Sequence, residues 1–400
     1  MKTFLIDDNT PYTYSEFVAD LKEDAEINYD TKNFNLYIFY LELIKNLILD
    51  REIYFDEDKS QFCLTNKWNN TQDTDFDSYS LDQIIKKVEN STSNIVLCTS
   101  GTTGRPKIIS HSIQNLMRSV RTGQKYSNNI WGLAYNPSHI AGLFVFFQAF
   151  INKCTLINLF QKTRDVTYDQ INKFGITNIS ATPTFYRLLL PFEKEYNSVT
   201  SITFGGEKSG SELHNSIKKI FPNAVIHNIY ASTEAGQIIV SKGELFCIPD
   251  KLNGLVIVEK NEVLIHKSLL GTSEEFEFDE KLYYHTGDII EWTNENEGLF
   301  KFKSRKSELI NVGGYKVNPT DVENAIMKIP EVRNVVVYGI KNSILGNFLC
   351  CDIELFKDKL IAESTIREYI SKELKDYAIP RKINFVDKIN LTETGKVRRI

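Results

Sequence analysis

The run Thr99-Ser100-Gly101-Thr102-Thr103-Gly104-Arg105-Pro106-Lys107 concentrates four hydroxyls, two glycines and two cations in nine residues. Such a run suits anion binding. Glycines let backbone N–H groups close around a phosphate, hydroxyls add donors and Lys107 adds charge. An ordinary surface turn is the alternative use of these residue types. The run follows the apolar segment Asn94–Cys98 directly, which favours a phosphate loop between a strand and a helix. A Walker-type P-loop is excluded. That geometry needs Gly immediately before Lys and Ser or Thr after it, whereas Pro106 and Ile108 flank Lys107.

TSGTTGRPK resembles the phosphate-binding signature of the adenylate-forming superfamily, which holds acyl-CoA synthetases, free-standing adenylation domains and luciferases. Five further segments resemble that family's motifs in the same order. Gly205-Gly206-Glu207 matches the glycine-rich segment beside the adenine. Tyr230-Ala231-Ser232-Thr233-Glu234 resembles Y-G-x-T-E, with Ala231 where Gly is usual. The resemblance implies that the Tyr230 ring stacks on adenine, that Thr233 meets the α-phosphate and that Glu234 offers Mg²⁺ a hard oxygen. A helix N-cap is the alternative for that segment.

His285-Thr286-Gly287-Asp288 resembles T-G-D, which implies that Asp288 accepts hydrogen bonds from ribose hydroxyls; a β-turn around Gly287 is the alternative. Phe302-Lys303-Ser304-Arg305 resembles the segment whose Arg reaches the nucleotide. Leu391-Thr392-Glu393-Thr394-Gly395-Lys396-Val397-Arg398-Arg399 resembles P-x-T-x-x-G-K-x-x-R, with Asn390 in place of Pro. The resemblance makes Lys396 the catalytic lysine, a flexible ammonium that bridges carboxylate and phosphate. A solvated basic tail is the alternative. Asn136–Leu143 resembles a segment whose aromatic or His residue gates the acyl tunnel or touches substrate. His139 is therefore either a site residue or a packed, hydrogen-bonded histidine. No Asp is apparent where amino-acid-activating members grip an α-amino group, which favours a plain carboxylic acid.

The implied activity is ATP-dependent formation of an acyl adenylate, with Mg²⁺, followed by transfer to a thiol. The thiol is CoA or the phosphopantetheine of an acyl or aryl carrier protein. A nucleotide-binding scaffold without catalysis is a rival of another class, opposed by the joint presence of Lys396, Glu234 and Asp288. The resemblance also implies a hinge just past Arg305, where Ser307 stands in place of the usual Asp or Lys. Asn311–Lys316 would then face the thiol.

These residues need a scaffold, and the sequence indicates an α/β one. Strand-like runs at 94–98, 155–159, 178–181, 201–204 and 224–229 alternate with helix-like stretches at 14–24, 35–49, 80–88, 113–126, 184–190 and 209–220. This pattern implies stacked mixed and parallel sheets with helices. Residues 55–80 read as a polar surface loop. Residues 242–303 change to short antiparallel strands (GELFCI, GLVIVE, NEVLIHK, GLFKFKS). Past 306 comes a compact α+β pattern, with helices at 319–327 and 364–374 and strands at 332–338 and 348–355. The expected organisation is a large N-terminal domain, 1–305, with a small antiparallel β subdomain, and a small mobile C-terminal domain, 306–400. Only 98 residues precede the phosphate loop, so the front of the family fold is shortened. A homodimer interface or partner surface is expected in its place.

Composition bounds the partners. A net charge of −5 argues against general affinity for nucleic acid. Six cysteines without a C-x-x-C pair suggest reduced thiols and a cytoplasmic protein. The start lacks a signal peptide's apolar stretch, and Ile140–Ile151 is too short to span a bilayer.

Overall fold

The computed structural model describes residues 2–22, 35–55, 79–100, 106–342 and 346–389. The segment expected as a polar surface loop lies largely outside them.

The scaffold of the site is an eight-stranded sheet in the order β11-β10-β9-β8-β6-β7-β1-β2. Its strands are β1 (Thr3–Asp7), β2 (Thr10–Thr13), β6 (Ile130–Leu133), β7 (Thr155–Asn158), β8 (Asn178–Ala181), β9 (Ser201–Gly205), β10 (Val225–Ser232) and β11 (Gly236–Lys242). The six inner strands are parallel, while β2 and β11 are antiparallel edges. Parallel strands need crossover helices, and these cover both faces. On one face lie α1 (Tyr14–Lys22), α2 (Leu36–Ile48) and α5 (Ile140–Ile151); on the other lie α6 (Arg164–Phe174), α7 (Pro183–Leu188) and α8 (Ser211–Ile220).

Local sequence explains the helices. Asn35 caps α2 by accepting from Tyr37 N and Ile38 N. Ser80 and Gln83 form a capping box at the start of α3 (Leu81–Glu89). The α5 segment, IAGLFVFFQAFI, is apolar almost all round because it is buried almost all round. Phe146 stacks on Tyr40 of α2 at 4.0 Å. Gly142 is required there, since a Cβ would sit 2.1 Å from the Asn136 carbonyl oxygen.

A second, three-stranded sheet, β3-β4-β5, comprises β3 (Ile53–Phe55), β4 (Asn94–Ser100) and β5 (Pro106–Ser112). The Thr99–Lys107 run therefore connects two antiparallel strands rather than a strand and a helix. Ile108 and Ile109 are β-branched, and Leu97 pairs with Ile109 across the ladder. The helix expected at 113–126 is much shorter. Ser112 caps α4 (Ile113–Met117), and the chain then bends toward Gly123, which has φ +134°.

The antiparallel subdomain is β12 (Val256–Glu259), β13 (Glu262–His266), β14 (Tyr283–Asn294) and β15 (Leu299–Arg305) in that order. GELFCI contributes no strand to it, only a bridge between Phe246 and Phe300. The last sheet has the order β17-β16-β19-β18, with β20 on β19. It comprises β16 (Ile310–Val312), β17 (Tyr315–Val317), β18 (Val332–Asn342), β19 (Gly346–Leu355) and β20 (Lys382–Val386), packed against α9 (Pro319–Ile326) and α10 (Glu363–Ser371). The α/β architecture expected from the alternation, with stacked sheets and a small antiparallel subdomain, is thus present as four sheets.

Candidate functional site

Of the sequence-expected residues, Gly205, Gly206 and Tyr230–Glu234 lie at the carboxyl ends of β9 and β10, where the β10–β11 hairpin meets β5, β14 and β15. Tyr230, Ala231 and Ser232 end β10, and Thr233-Glu234-Ala235 forms the turn into β11. The segment is a hairpin, not a helix cap. Three contacts fix this turn from behind. His111 on β5 donates from Nε2 to the Thr233 carbonyl at 2.6 Å, and Asn115 Nδ2 donates to His111 Nδ1 at 3.3 Å. A carbonyl can only accept, so this pair of bonds fixes the neutral Nε2–H tautomer. Burial lowers the His111 pKa, with the Thr233 bond opposing. Arg118 donates to the carbonyls of Ala235 (2.6 Å) and Leu269 (3.0 Å). Gly271 N donates to the Glu234 carbonyl at 2.9 Å.

The charged groups form two sets of contacts, coupled through the charge of Glu234. Lys107 Nζ lies 3.7 Å from Glu234 Oε1, and over the Phe276 ring at 4.6 Å. Tyr230 donates from its hydroxyl to Asp288 Oδ2 at 2.7 Å, and Arg305 Nε lies 3.4 Å from Asp288 Oδ1. Burial raises the Asp288 pKa, with Arg305 and the Tyr230 hydroxyl opposing. Burial, and then Asp288, raise the pKa of the Tyr230 phenol, which therefore remains a donor. The Tyr230 ring stacks on Phe302 at 4.3 Å, so one of its faces is already covered.

Asp288 sits on β14 just past Gly287, whose φ of +76° suits the bulged turn there. That turn rests on Glu262, a buried carboxylate that accepts from Gly287 N at 2.9 Å and pairs with Lys306 Nζ at 2.7 Å. Burial works against the ionised form of Glu262. The Lys306, Gly287 and His285 contacts outweigh it and lower the pKa.

Beside this cluster opens a cavity of about 280 Å³ between α5 and the sheet. His139, Gly205, Gly206, Ala231, Ser232 and Thr233 all line it. His139 is the residue before α5 and makes no side-chain cap bond. Glu207 is directed elsewhere: its Oε2 accepts from Thr184 N (3.1 Å) and Thr184 Oγ1 (2.7 Å) at the start of α7. Thr99 and Ser100 end β4, at the entry to the hydroxyl-rich run. Gly101, Thr102, Thr103, Gly104 and Lys396 lie outside the described residues.

Sequence reasoning did not single out His111, Arg118, Glu262 or Tyr135. Their partners are distant in sequence, so no local spacing marks them. It also passed over the polar residues of β8 and β9. There a signal existed: inner parallel strands are usually continuously apolar, yet NISA and SITFG alternate.

The described residues contain no group of three or more His, Cys, Asp or Glu able to hold a metal by themselves. A lone carboxylate such as Glu234 fits Mg²⁺, which usually takes one or two protein oxygens plus phosphate and water. No helix among the described residues is long and apolar enough to cross a membrane.

Comparison with known proteins gives concordant results. A family model described as AMP-binding enzyme matches residues 45–257, and one described as AMP-binding enzyme C-terminal domain matches 321–396. The chain is 26% identical to the D-alanine–D-alanyl carrier protein ligase of Lactococcus lactis, covering 78% of this chain and 70% of that protein. It is 26% identical to 4-hydroxybutyrate–CoA ligase 1 of Metallosphaera sedula, covering 76% and 60%. The chain thus spans roughly three fifths to seven tenths of such relatives. Among solved structures, ATP-bound MatB from Rhodopseudomonas palustris superposes with a TM-score of 0.70 at 16% identity, over 99% of this chain and 94% of that one. The o-succinylbenzoate CoA synthetase of Bacillus subtilis, bound to its acyl adenylate, gives 0.67 at 18%, over 100% and 94%.

Proposed function

The chain belongs to the AMP-binding enzyme family, and on that premise we propose that it activates a carboxylic acid with ATP and passes the acyl group to a thiol. The observation that carries this reading is the gathering of two neighbouring sets of contacts, Lys107 with Glu234 and Tyr230 with Asp288 and Arg305, around the hairpin whose Ala231, Ser232 and Thr233 line the α5 cavity.

In the first step a carboxylate oxygen attacks the α-phosphorus of ATP, and the bond to pyrophosphate breaks. The reaction is governed by positioning and charge neutralisation. Asp288, fixed by Tyr230 and Arg305, is set to hold ribose hydroxyls. Thr233 and Gly205-Gly206 border the space for the α-phosphate and base. Lys107 and the Thr99–Gly104 run are assigned to the leaving phosphates. Mg²⁺, when bound at Glu234, supplies counter-charge to those phosphates. Lys396, carried by the segment 306–400, is assigned to the reacting carboxylate and phosphate. In the second step a thiol sulfur attacks the acyl carbonyl and AMP leaves; the thiol proton passes to solvent.

The acceptor we assign is CoA, because among the described residues no carboxylate lines the cavity to grip an amino-acid substrate of the kind carrier-loading enzymes commonly take. A phosphopantetheinylated carrier is the second reading, supported by the named activity of the Lactococcus relative. We also assign a cytoplasmic location, on cysteine usage, and a homodimer.

The test is pyrophosphate release from ATP across aryl, short-chain and medium-chain acids. Lys396→Ala is expected to reduce the rate at least about 100-fold while ATP binding measured by calorimetry is retained. Equal rates in both proteins would refute the assignment.

A further inference from the structure

The walls of the α5 cavity are chemically unequal. On the helix side Ile140, Ala141, Phe144 and Val145 are apolar, between the polar residues His139 and Gln148 at either end of that wall. On the sheet side, alternate residues of adjacent parallel strands form polar rungs. Ser180 of β8 stands in register with Thr203 of β9, and Asn178 with Ser201. All four line the cavity.

Their hydrogen bonds leave donors to spare. Ser180 Oγ lies 2.5 Å from Thr203 Oγ1 and is also bonded to the Tyr135 hydroxyl, so three hydroxyls share two bonds and one O–H of the three remains for a further group. Tyr135 stands beside them, its hydroxyl bonded by Ser180 and by the Gly205 backbone. Asn178 Oδ1 already accepts from Thr177 Oγ1 at 2.7 Å, which leaves the amide N–H₂ as its free function. Among the described residues, no Asp or Glu lines the cavity.

An alkyl chain in this space would desolvate hydroxyls and an amide without replacing their bonds, at a cost of about 1–3 kcal/mol per group. An ammonium would find no counter-charge. An oxygen atom meets every requirement of the rungs. We infer that the acid activated here carries a second oxygen group at its far end, hydrogen-bonded by the Ser180–Thr203 rung and its neighbours. This rests on the proposed acid activation and names its substrate class. The Thr203 rung lies two residues below Gly205 at the cavity mouth, about 6.6 Å along the strand. A spacer of about four to six atoms between the reacting carboxylate and the remote oxygen fits that depth.

The test compares four acids of one length: hexanoate, 6-hydroxyhexanoate, hexanedioate and 6-aminohexanoate. Pyrophosphate release by the wild-type protein is expected to give a kcat/KM at least about tenfold higher for one of the two oxygenated acids than for hexanoate, with 6-aminohexanoate the poorest. Which oxygenated acid leads distinguishes a hydroxyl from a carboxylate. Ser180→Ala is expected to shrink that ratio several-fold, mainly through KM. If the variant does not fold, the wild-type ratio decides alone. Hexanoate turned over as well as the oxygenated acids, or 6-aminohexanoate preferred, overturns the inference and leaves acid activation standing. Pyrophosphate release with none of the four, and with no acid of the wider panel, overturns acid activation and this inference together.

Discussion

Strands β8 and β9 present opposite chemistry on their two faces. Toward α6, α7 and α8 they offer Ile179, Ala181, Ile202 and Phe204, all nearly without solvent exposure. Toward α5 they offer Asn178, Ser180, Ser201 and Thr203. The first face is filled by side chains: Tyr186 packs on Phe204 at 4.4 Å and reaches back with its hydroxyl to the Ile179 carbonyl at 3.0 Å. The second borders a cavity. Backbone pairing and strand length are shared, so the difference lies wholly in side chains. One face holds the sheet together; the other is free to specify a ligand.

Substitutions on the two faces sharpen this contrast. The largest effect is expected from Phe204→Ala, which empties a fully packed position. A loss of about 3–5 kcal/mol in urea unfolding is expected; a loss under about 1 kcal/mol would show that the packed face does not carry the sheet.

A smaller, pH-dependent effect is expected at His214, the imidazole that lies 4.8 Å from Phe204. Burial lowers its pKa below 6.5, with Glu244 opposing. The native state then binds fewer protons than the unfolded chain, so stability is complete above pH 6.5 and falls as pH drops through the native value. His214→Phe keeps a ring and removes the titration. Urea midpoints at pH 7.5 and 5.5 should differ less in the variant than in the wild type; an equal acid loss in both would assign the dependence to other groups.

The smallest stability effect is expected from Ser180→Ala combined with Thr203→Val. Both members of one hydrogen bond are replaced by apolar groups of similar shape, and the Tyr135 hydroxyl keeps its Gly205 backbone donor, so unfolding should shift by less than about 1 kcal/mol. A loss comparable to Phe204→Ala would make the polar rungs a structural device and erase the contrast.

Much of this architecture was legible in the sequence because the deciding interactions are local. The Asn35 and Ser80 caps, the run Ile140–Ile151 and the strands near 155, 178, 201 and 225 all rest on short-range patterning. Other elements were not. Helix α6 buries Thr167 and Gln170 beside Tyr168 and Ile171, so its apolar stripe is thin. Strand β14 exists because β13 and β15 flank it, and its YYHTGD start does not alternate. At the site, the motif residues were legible as types in order. The convergence of Lys107 with Glu234, 127 positions on, and of Tyr230 with Asp288 depends on long-range packing. So did the redirection of Glu207 toward α7, which a glycine-rich neighbourhood does not announce.

Glu262 holds partners on both sides of Arg305: the Gly287 amide and His285 imidazole, in its own sheet, and the Lys306 ammonium, one residue beyond that arginine. Should the chain past Arg305 swing away, the carboxylate would trade an ammonium for water yet keep its backbone donor. The bend that presents Asp288 is thereby insulated from whatever the following segment does, much as a hinge pin stays fixed while the door turns.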